Sequence, residues 1–331
     1  MATSDTPRAV VAGRPTFDTL ELKILHALQV DGRAPFGRIA DVLGVSDQTV
    51  ARRYARLRAS RNVRVTARTD TALTGESSWF VRVRCAPNVA RTVAEALARR
   101  PETSWVRMTS GGTEIVAVVR EPSGDDRHTL LLEKLPHTRQ VTDIRANHLL
   151  HIFFGGPEGA VDVLSPAQVA RLRPSPSGTI PTPVVLDDGD RRMLAVLERD
   201  GRTDFTALAA ATGRPATTLR RRLAELRAGG AVYFDVDYDY RDLAMGSQAI
   251  LWLSVAPDQL LAAGRALARH PEISFAAATT GATNLYASVL CPDPGALFRY
   301  LTDKVAALPA VHHVETAPVV SSLKNLGARA P

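Results

Sequence analysis

Two adjacent arginines, Arg52-Arg53, and a second pair, Arg221-Arg222, sit in matching surroundings far apart in the chain. Each pair follows a polar dipeptide, Gln48-Thr49 in one case and Thr217-Thr218 in the other, and Arg56 extends the first face by a further helical turn. Guanidinium groups in such company bind phosphate oxygens or read guanine edges, while Thr and Gln supply neutral hydrogen bonds to backbone and bases. The charge is local. From Ser46 to Arg64 six arginines stand against one acid, Asp47, and from Arg214 to Gly229 five stand against Glu225. Over all 331 residues the balance is 41 Lys+Arg to 34 Asp+Glu, a net charge of +7, with only Lys23, Lys134, Lys304 and Lys324 as lysines. A basic excess gathered on two short segments favours a polyanionic partner such as nucleic acid.

Other chemistries find little support. Cys85 and Cys291 stand alone, in no metal-ligand or disulfide spacing, and a reducing compartment suits them. His312-His313 are neighbours on a stretch that reads as a strand, where adjacent side chains point to opposite faces, so they do not form a metal pair. His137, His148 and His151 form no ligand pattern either. No catalytic residue, metal or cofactor is expected. No apolar run reaches the 18 or so residues of a membrane span, and the first sixteen residues lack an apolar targeting core. A cytoplasmic protein with no membrane partner is expected.

The elements that must present the arginines read as small helical heads. After Asp18, a suitable N-cap, Leu20, Ile24, Leu25 and Leu28 form a helical stripe that ends at the turn Asp31-Gly32-Arg33. Phe36, Ile39, Ala40 and Leu43 make a second helix closed by Gly44. Ser46 then caps a third, in which Val50, Tyr54 and Leu57 face inward and Gln48, Thr49, Arg52, Arg53 and Arg56 face outward. The same design recurs later: Leu219, Leu223 and Leu226 inward, Thr217, Thr218, Arg221 and Arg222 outward. Two helices joined by a short glycine-containing turn, the second bearing the outward polar face, describe a helix-turn-helix.

The recurrence is a duplication. Asp31-Gly32-Arg33 is echoed by Asp200-Gly201-Arg202, Phe36 by Phe205, Gly44 by Gly213, and, after one inserted residue, Arg99-Arg100-Pro101-Glu102 by Arg269-His270-Pro271-Glu272. Behind each head, strand and helix patterns follow in the order βαββαβ, the ferredoxin-like pattern. In the first copy these are Trp79–Val83, Val89–Arg100, Ser104–Met108, Ile115–Val119, Thr129–Lys134 and Val141–Leu149. In the second they are Ile250–Val255, Ala262–His270, Ile273–Ala277, Leu285–Val289, Gly295–Leu308 and Val311–Val320. Proline, glycine and serine at linker density fill the junction between copies. The expected fold is therefore α+β, with two winged-helix-like helix-turn-helix domains (17–65 and 186–235), two ferredoxin-like βαββαβ domains in tandem (66–155 and 236–326), and an exposed linker at 156–185.

A reading head followed by a βαββαβ domain resembles the Lrp/AsnC family of prokaryotic transcription regulators. The resemblance rests on Phe17-Asp18-x-x-Glu21 and Leu186-Asp187-x-x-Asp190, on Ile24-Leu25 and Met193-Leu194, on the Asp-Gly-Arg turns, and on Arg53 and Arg222. It implies a DNA-binding regulator whose βαββαβ domains mediate dimerisation and sense a small-molecule effector such as an amino acid, and whose dimers build larger homo-oligomers. Two modules in one polypeptide imply an intramolecular pseudo-dimer. The family's effector turn corresponds to Ser110-Gly111-Gly112-Thr113-Glu114 and Thr280-Gly281-Ala282-Thr283-Asn284. This points to Ser110, Gly111, Gly112 and Glu114, and to Thr280, Gly281, Ala282 and Asn284, as effector-binding residues, with tight hairpins as the plain alternative. Two other functions fit the same architecture. One is a nucleoid-like architectural DNA-binding protein. The other is an enzyme similar to siroheme decarboxylases, although Phe275 to Thr283 lacks the His, Tyr and Arg that this activity implies.

Overall fold

The computed structural model describes residues 16–61, 63–121, 140–155, 161–174, 182–308 and 310–325, together with 130, 133, 135, 137 and 138. The expected helix at Thr129–Lys134 lies largely outside these. The described residues fall into two compact units, one within 14–75 and 156–244, the other within 76–155 and 245–331.

The first unit holds both heads. Head one is α1 (Thr19–Val30), α2 (Phe36–Leu43) and α3 (Asp47–Arg61), followed by β1 (Arg64–Thr69) and the short α4 (Thr71–Thr74). Head two is α7 (Asp188–Leu197), α8 (Phe205–Thr212) and α9 (Ala216–Ala228), followed by β6 (Val232–Asp237). Their cores form as the periodicity requires: Ile24, Leu25, Leu28, Ile39, Val50, Tyr54 and Leu57 are buried in one, and Met193, Leu197, Leu208, Leu219, Leu223 and Leu226 in the other. The strands do not form separate wings. β1 and β6 pair antiparallel with each other, Ala67 opposite Phe234, so the expected domain boundaries at 65 and 235 cut through a shared ribbon.

What joins the heads is a reciprocal exchange at the two Asp-Gly-Arg turns. Arg33 donates from Nη1 to the Gly201 carbonyl at 2.6 Å and from Nη2 to the Thr203 carbonyl at 3.0 Å. Arg202 returns the contact, donating to the Gly32 carbonyl at 2.7 Å and the Ala34 carbonyl at 3.0 Å. Each guanidinium also lies over an aromatic ring of the opposite head, Arg33 over Phe205 at 5.0 Å and Arg202 over Phe36 at 4.3 Å. The ends of α3 and α9 lock the same joint: Arg58 pairs with Asp200 at 2.9 Å and Arg227 with Asp31 at 2.8 Å. Glycine is required here by proximity. A Cβ on Gly32 would stand 2.7 Å from side-chain carbons of both Val65 and Phe234, and one on Gly201 would stand 2.9 Å from the Phe234 ring.

The segment expected as an exposed linker is partly built into head one. Residues 156–160 and 175–181 lie outside the described set, but α6 (Pro166–Leu172) docks on α1 and α2 with Leu164 and Leu172 buried. The buried His26 accepts through Nδ1 from the backbone N–H groups of Val163 and Leu164, each at 3.0 Å. Gln168 donates to the Val42 carbonyl, and Arg38 to the Arg171 carbonyl. Ser165 and Gln168 close a capping box with Pro166 at the first helical position, which starts a helix where proline and serine content suggested loop.

The second unit is a closed eight-stranded barrel with helices outside it. Its strands are β2 (Ser77–Cys85), β3 (Thr103–Thr109), β4 (Glu114–Glu121), β5 (Val141–Phe154), β7 (Ser247–Val255), β8 (Ile273–Thr279), β9 (Leu285–Cys291) and β10 (Val311–Lys324). The helices are α5 (Ala90–Ala98), α10 (Leu260–Leu267) and α11 (Pro294–Arg299), the last running into a wider turn at Tyr300–Val305. The barrel order is β10-β3-β4-β2-β5-β8-β9-β7. Two separate βαββαβ domains were expected, but the sheets merge because β5 and β10 run past their expected ends at 149 and 320. β5 pairs with β2 through His148, then with β8 from Leu149 to Phe154, and β10 pairs likewise with β7 and then β3. Closure removes the free edges that each four-stranded run would otherwise expose. Alternation sends Val81, Val83, Leu251 and Leu253 toward the helices and Phe80, Ile250 and Trp252 into the barrel.

Removing either exchanged guanidinium takes the side-chain donor from two partly buried carbonyls of the opposite turn. Arg33→Ala and Arg202→Ala should each destabilise the head unit by about 2–4 kcal/mol in denaturant titration. The lysine variants, which keep charge without the planar fork, should recover less than half of the loss.

Candidate nucleic-acid interface and ligand-domain turns

α3 begins where Ser46 Oγ accepts from the Thr49 N–H at 3.2 Å, as the sequence indicated. With Val50, Tyr54 and Leu57 committed to the core, Gln48, Arg52 and Arg56 are exposed, while Thr49 is half-buried against Ser46, their hydroxyls 2.8 Å apart. On α9 the exposed set is Thr217, Thr218, Arg220 and Arg221, with Arg221 reaching Glu225 at 2.8 Å along its own helix. These side chains present hydrogen-bond donors and positive charge from the second helix of each helix-turn-helix, the arrangement that major-groove reading requires.

Arg53 and Arg222 behave differently from the outward role expected of them. Their side chains are 27% and 28% exposed and fold back onto the first helix of their own head. Arg53 donates from Nη1 to Asp18 and to Glu21, the latter at 3.3 Å. Arg222 holds Asp190 at 2.7 Å, and Arg214 adds a contact from the inter-helix turn to Asp187 at 3.2 Å. The carboxylates are the capping boxes of α1 and α7: Asp18 with Glu21, Asp187 with Asp190. Burial would raise the Asp18 carboxyl, but hydrogen bonds from the Glu21 N–H and Arg53 outweigh it and hold the group below its usual range. At Asp187 the Asp190 N–H dominates, Arg214 adds to it, and the shift is again downward. The second arginine of each pair thus ties the recognition helix to the N-terminus of the first helix. The visible clue was the Asp-x-x-Glu/Asp box itself, which supplies two acids that need a cation.

The two hairpin turns of the barrel are also committed internally. Ser110, Gly111 and Thr280, Gly281, Ala282 are exposed, Gly112 is half-buried, and Gly111 and Gly281 have φ of +71° and +106°, as tight hairpins demand. Glu114 is buried: its carboxylate takes Arg82 Nε at 2.8 Å and Nη2 at 2.7 Å, and the Thr109 hydroxyl at 3.1 Å. Arg82 in turn bridges to Glu315 at 2.9 Å and lies 4.9 Å over the Trp252 ring. Asn284 exchanges two hydrogen bonds with the Val255 backbone, at 2.9 and 2.8 Å, and the Asn147 amide donates to the Thr280 carbonyl. The acid and the amide of the two turns therefore brace the barrel. Among the described residues no group of three or more His, Cys, Asp or Glu could hold a metal ion, and Cys85 and Cys291 are both buried. No described helix is long and apolar enough to cross a membrane.

Comparison with known proteins follows this division. A family model for the AsnC-type helix-turn-helix domain matches residues 17–58 and again 186–227, and a model for the Lrp/AsnC ligand binding domain matches 248–328. The HTH-type transcriptional regulator FL11 of Pyrococcus horikoshii is 30% identical over 120 residues, covering 36% of this chain and 80% of that protein. LrpA1 of Halobacterium salinarum is 28% identical over 123 residues, 37% of this chain and 87% of its own. Among solved structures, the siroheme decarboxylase NirDL superposes over 93% of both chains with a TM-score of 0.64 at 15% identity, a likeness of fold alone.

The capping clamps carry a pH signature. Because Asp18 and Asp187 have folded-state values depressed below 3.8, their stabilisation is present above that pH and is lost as pH falls through the depressed values. Arg53→Gln and Arg214→Gln should lower the thermal midpoint at pH 7, and the gap from the parent should close as the pH is stepped down to about 2, where the carboxylates are protonated.

Proposed function

From a chain that belongs to the Lrp/AsnC family of helix-turn-helix regulators, we propose a sequence-specific DNA-binding transcription regulator in which one polypeptide supplies both reading heads, an intramolecular pseudo-dimer. It is a regulator and not an enzyme. A small-molecule effector acting at the ligand-binding half, and further homo-oligomerisation, complete the reading. The observation that carries it is the joint between two different recognition faces. Arg33, Arg202, Arg58 and Arg227 fasten the heads to each other, so the Gln48, Arg52 and Arg56 face and the Thr217, Thr218 and Arg221 face approach DNA together.

Identical heads read a palindrome, because protein symmetry is mirrored in the half-sites. Here the faces share an arginine at equivalent positions, Arg52 and Arg221, and differ at Gln48 and Thr217. The operator is therefore an imperfect inverted repeat, its half-sites about one helical turn or a multiple of it apart. With Arg53 and Arg222 engaged on carboxylates, Arg52 and Arg221 become the principal reading residues.

Binding selection from random duplexes with the full chain tests this. An asymmetric repeat is expected, and Arg52→Ala and Arg221→Ala should each cost about 1–3 kcal/mol and relax one half-site only. A perfect palindrome bound by one chain would contradict unequal heads. Enrichment of no motif at all would favour an architectural protein that coats DNA broadly.

A further inference from the structure

We propose that Arg107 anchors a binding site for a small carboxylate in the interior of the barrel, apart from the two hairpin turns. Arg107 lies on β3, is 4% exposed, and shares the interior face of the barrel with the cluster of Phe80, Val116, Ile250, Trp252 and Tyr286. Its contacts among the described residues are all neutral. Nη1 donates to the Ser288 hydroxyl at 3.4 Å, and the Gln248 amide, oriented to present its oxygen, accepts from Nη1 at 3.3 Å and Nη2 at 3.2 Å. The Trp105 ring lies 4.7 Å from the guanidinium carbon. Nε is buried with no partner among the described residues.

The same barrel shows what a compensated interior arginine looks like. Arg82 is as deeply buried as Arg107 and is met by two carboxylates, Glu114 and Glu315. A guanidinium removed from water without an opposite charge is unfavourable, and neutral hydrogen bonds do not offset the loss. The duplication also shows that the fold does not need a cation at this position. At the equivalent places on β8 stand Phe275 and Ala277, where β3 has Trp105 and Arg107. A second, independent feature marks the first-copy strand: Trp105 has a φ of +52°, a conformation bulky residues rarely adopt, at a bulge between Ser104 and Arg107. That backbone kink, held by the Trp105 N–H donating to the Asn325 carbonyl at 2.9 Å, sets the indole against the guanidinium.

The chemistry selects the ligand class. An unoccupied Nε edge on a planar guanidinium pairs with a planar carboxylate through two parallel hydrogen bonds. A monoanion neutralises Arg107, whereas a phosphate dianion would leave excess negative charge among Phe80, Trp252 and Tyr286. This places the ligand of the proposed effector-responsive half inside the barrel, and it makes no use of the DNA-reading faces.

Thermal unfolding of the full chain without DNA tests it, so a failure here leaves the operator experiment untouched. The probes are sodium acetate, propionate and benzoate, each compared at equal ionic strength with its neutral amide and with sodium chloride. The midpoint should rise with at least one carboxylate and not with its amide or with chloride. Arg107→Gln should weaken that response at least about tenfold, while Arg91→Gln, on an exposed pair with Glu95 outside the barrel, should leave it unchanged. Should Arg107→Gln fail to fold, Ser288→Ala, which keeps the guanidinium, must weaken the same response. Equal responses in the parent and the folded variant, a response reproduced by chloride or the amide, or no response to any carboxylate would overturn the proposal.

Discussion

Each head's Asp-Gly-Arg turn sends its arginine to the carbonyls of the other head's turn. One carbonyl inside each Asp-Gly-Arg turn, Gly32 or Gly201, and one just after it, Ala34 or Thr203, accept together from the opposite guanidinium. Because a guanidinium is planar and always charged, it fixes direction as well as distance. The placement of the recognition helices follows from that joint, since Arg58 and Arg227 at their far ends engage Asp200 and Asp31 of the same turns. The shared β1–β6 ribbon follows too: Gly201 donates its N–H to the Val65 carbonyl at 2.7 Å, bringing the turn directly onto the ribbon.

Much of this was legible in the sequence, and what was not had a physical reason. Helix stripes, caps and strand alternation are local, so Ser46, Val50, Tyr54, Leu57 and the paired strands of the barrel could be read directly. Arg52 and Arg53 differ by only about 100° around the helix, and both lie off the apolar stripe. Periodicity therefore cannot tell which of them meets solvent and which meets Asp18. The Asp-Gly-Arg turns were correctly seen as turns, but the partner that gives Arg33 its role lies in the other copy. The end of β5 was placed early because Leu149 to Phe154, apolar except for His151, lacks the alternation that marks a half-exposed strand, and the end of β10 because Ser321-Ser322 interrupts its apolar pattern. α6 carried a readable signal, Ser165-Pro166-x-Gln168, obscured by the prolines around it.

The duplicated barrel shows where its copies have parted. Arg82 stands opposite Trp252 in the duplication, Glu114 opposite Asn284, and Arg107 opposite Ala277. These differences cluster on the interior face, whereas the helix-facing positions remain aliphatic in both halves, as with Val81 and Leu251 or Val83 and Leu253. Packing against a helix tolerates one hydrophobe for another. An interior polar position must instead be matched by its neighbours, so it changes in groups. The bridge from Glu114 through Arg82 to Glu315, lying over Trp252, is one such group and draws on both copies.

Carrying both heads on one chain also changes how the reading surface can vary. In a dimer of identical subunits, any codon change at a base-contacting position appears twice, and both halves of the target must accept it together. Here the α3 and α9 faces are encoded separately while the joint between them is held by residues elsewhere, Arg33 and Arg202. On the proposed reading, a single codon change at Arg52 or Thr217 alters one half of the recognised sequence and leaves the other intact. New binding sites can be reached one half at a time, through intermediates that keep half of their contacts.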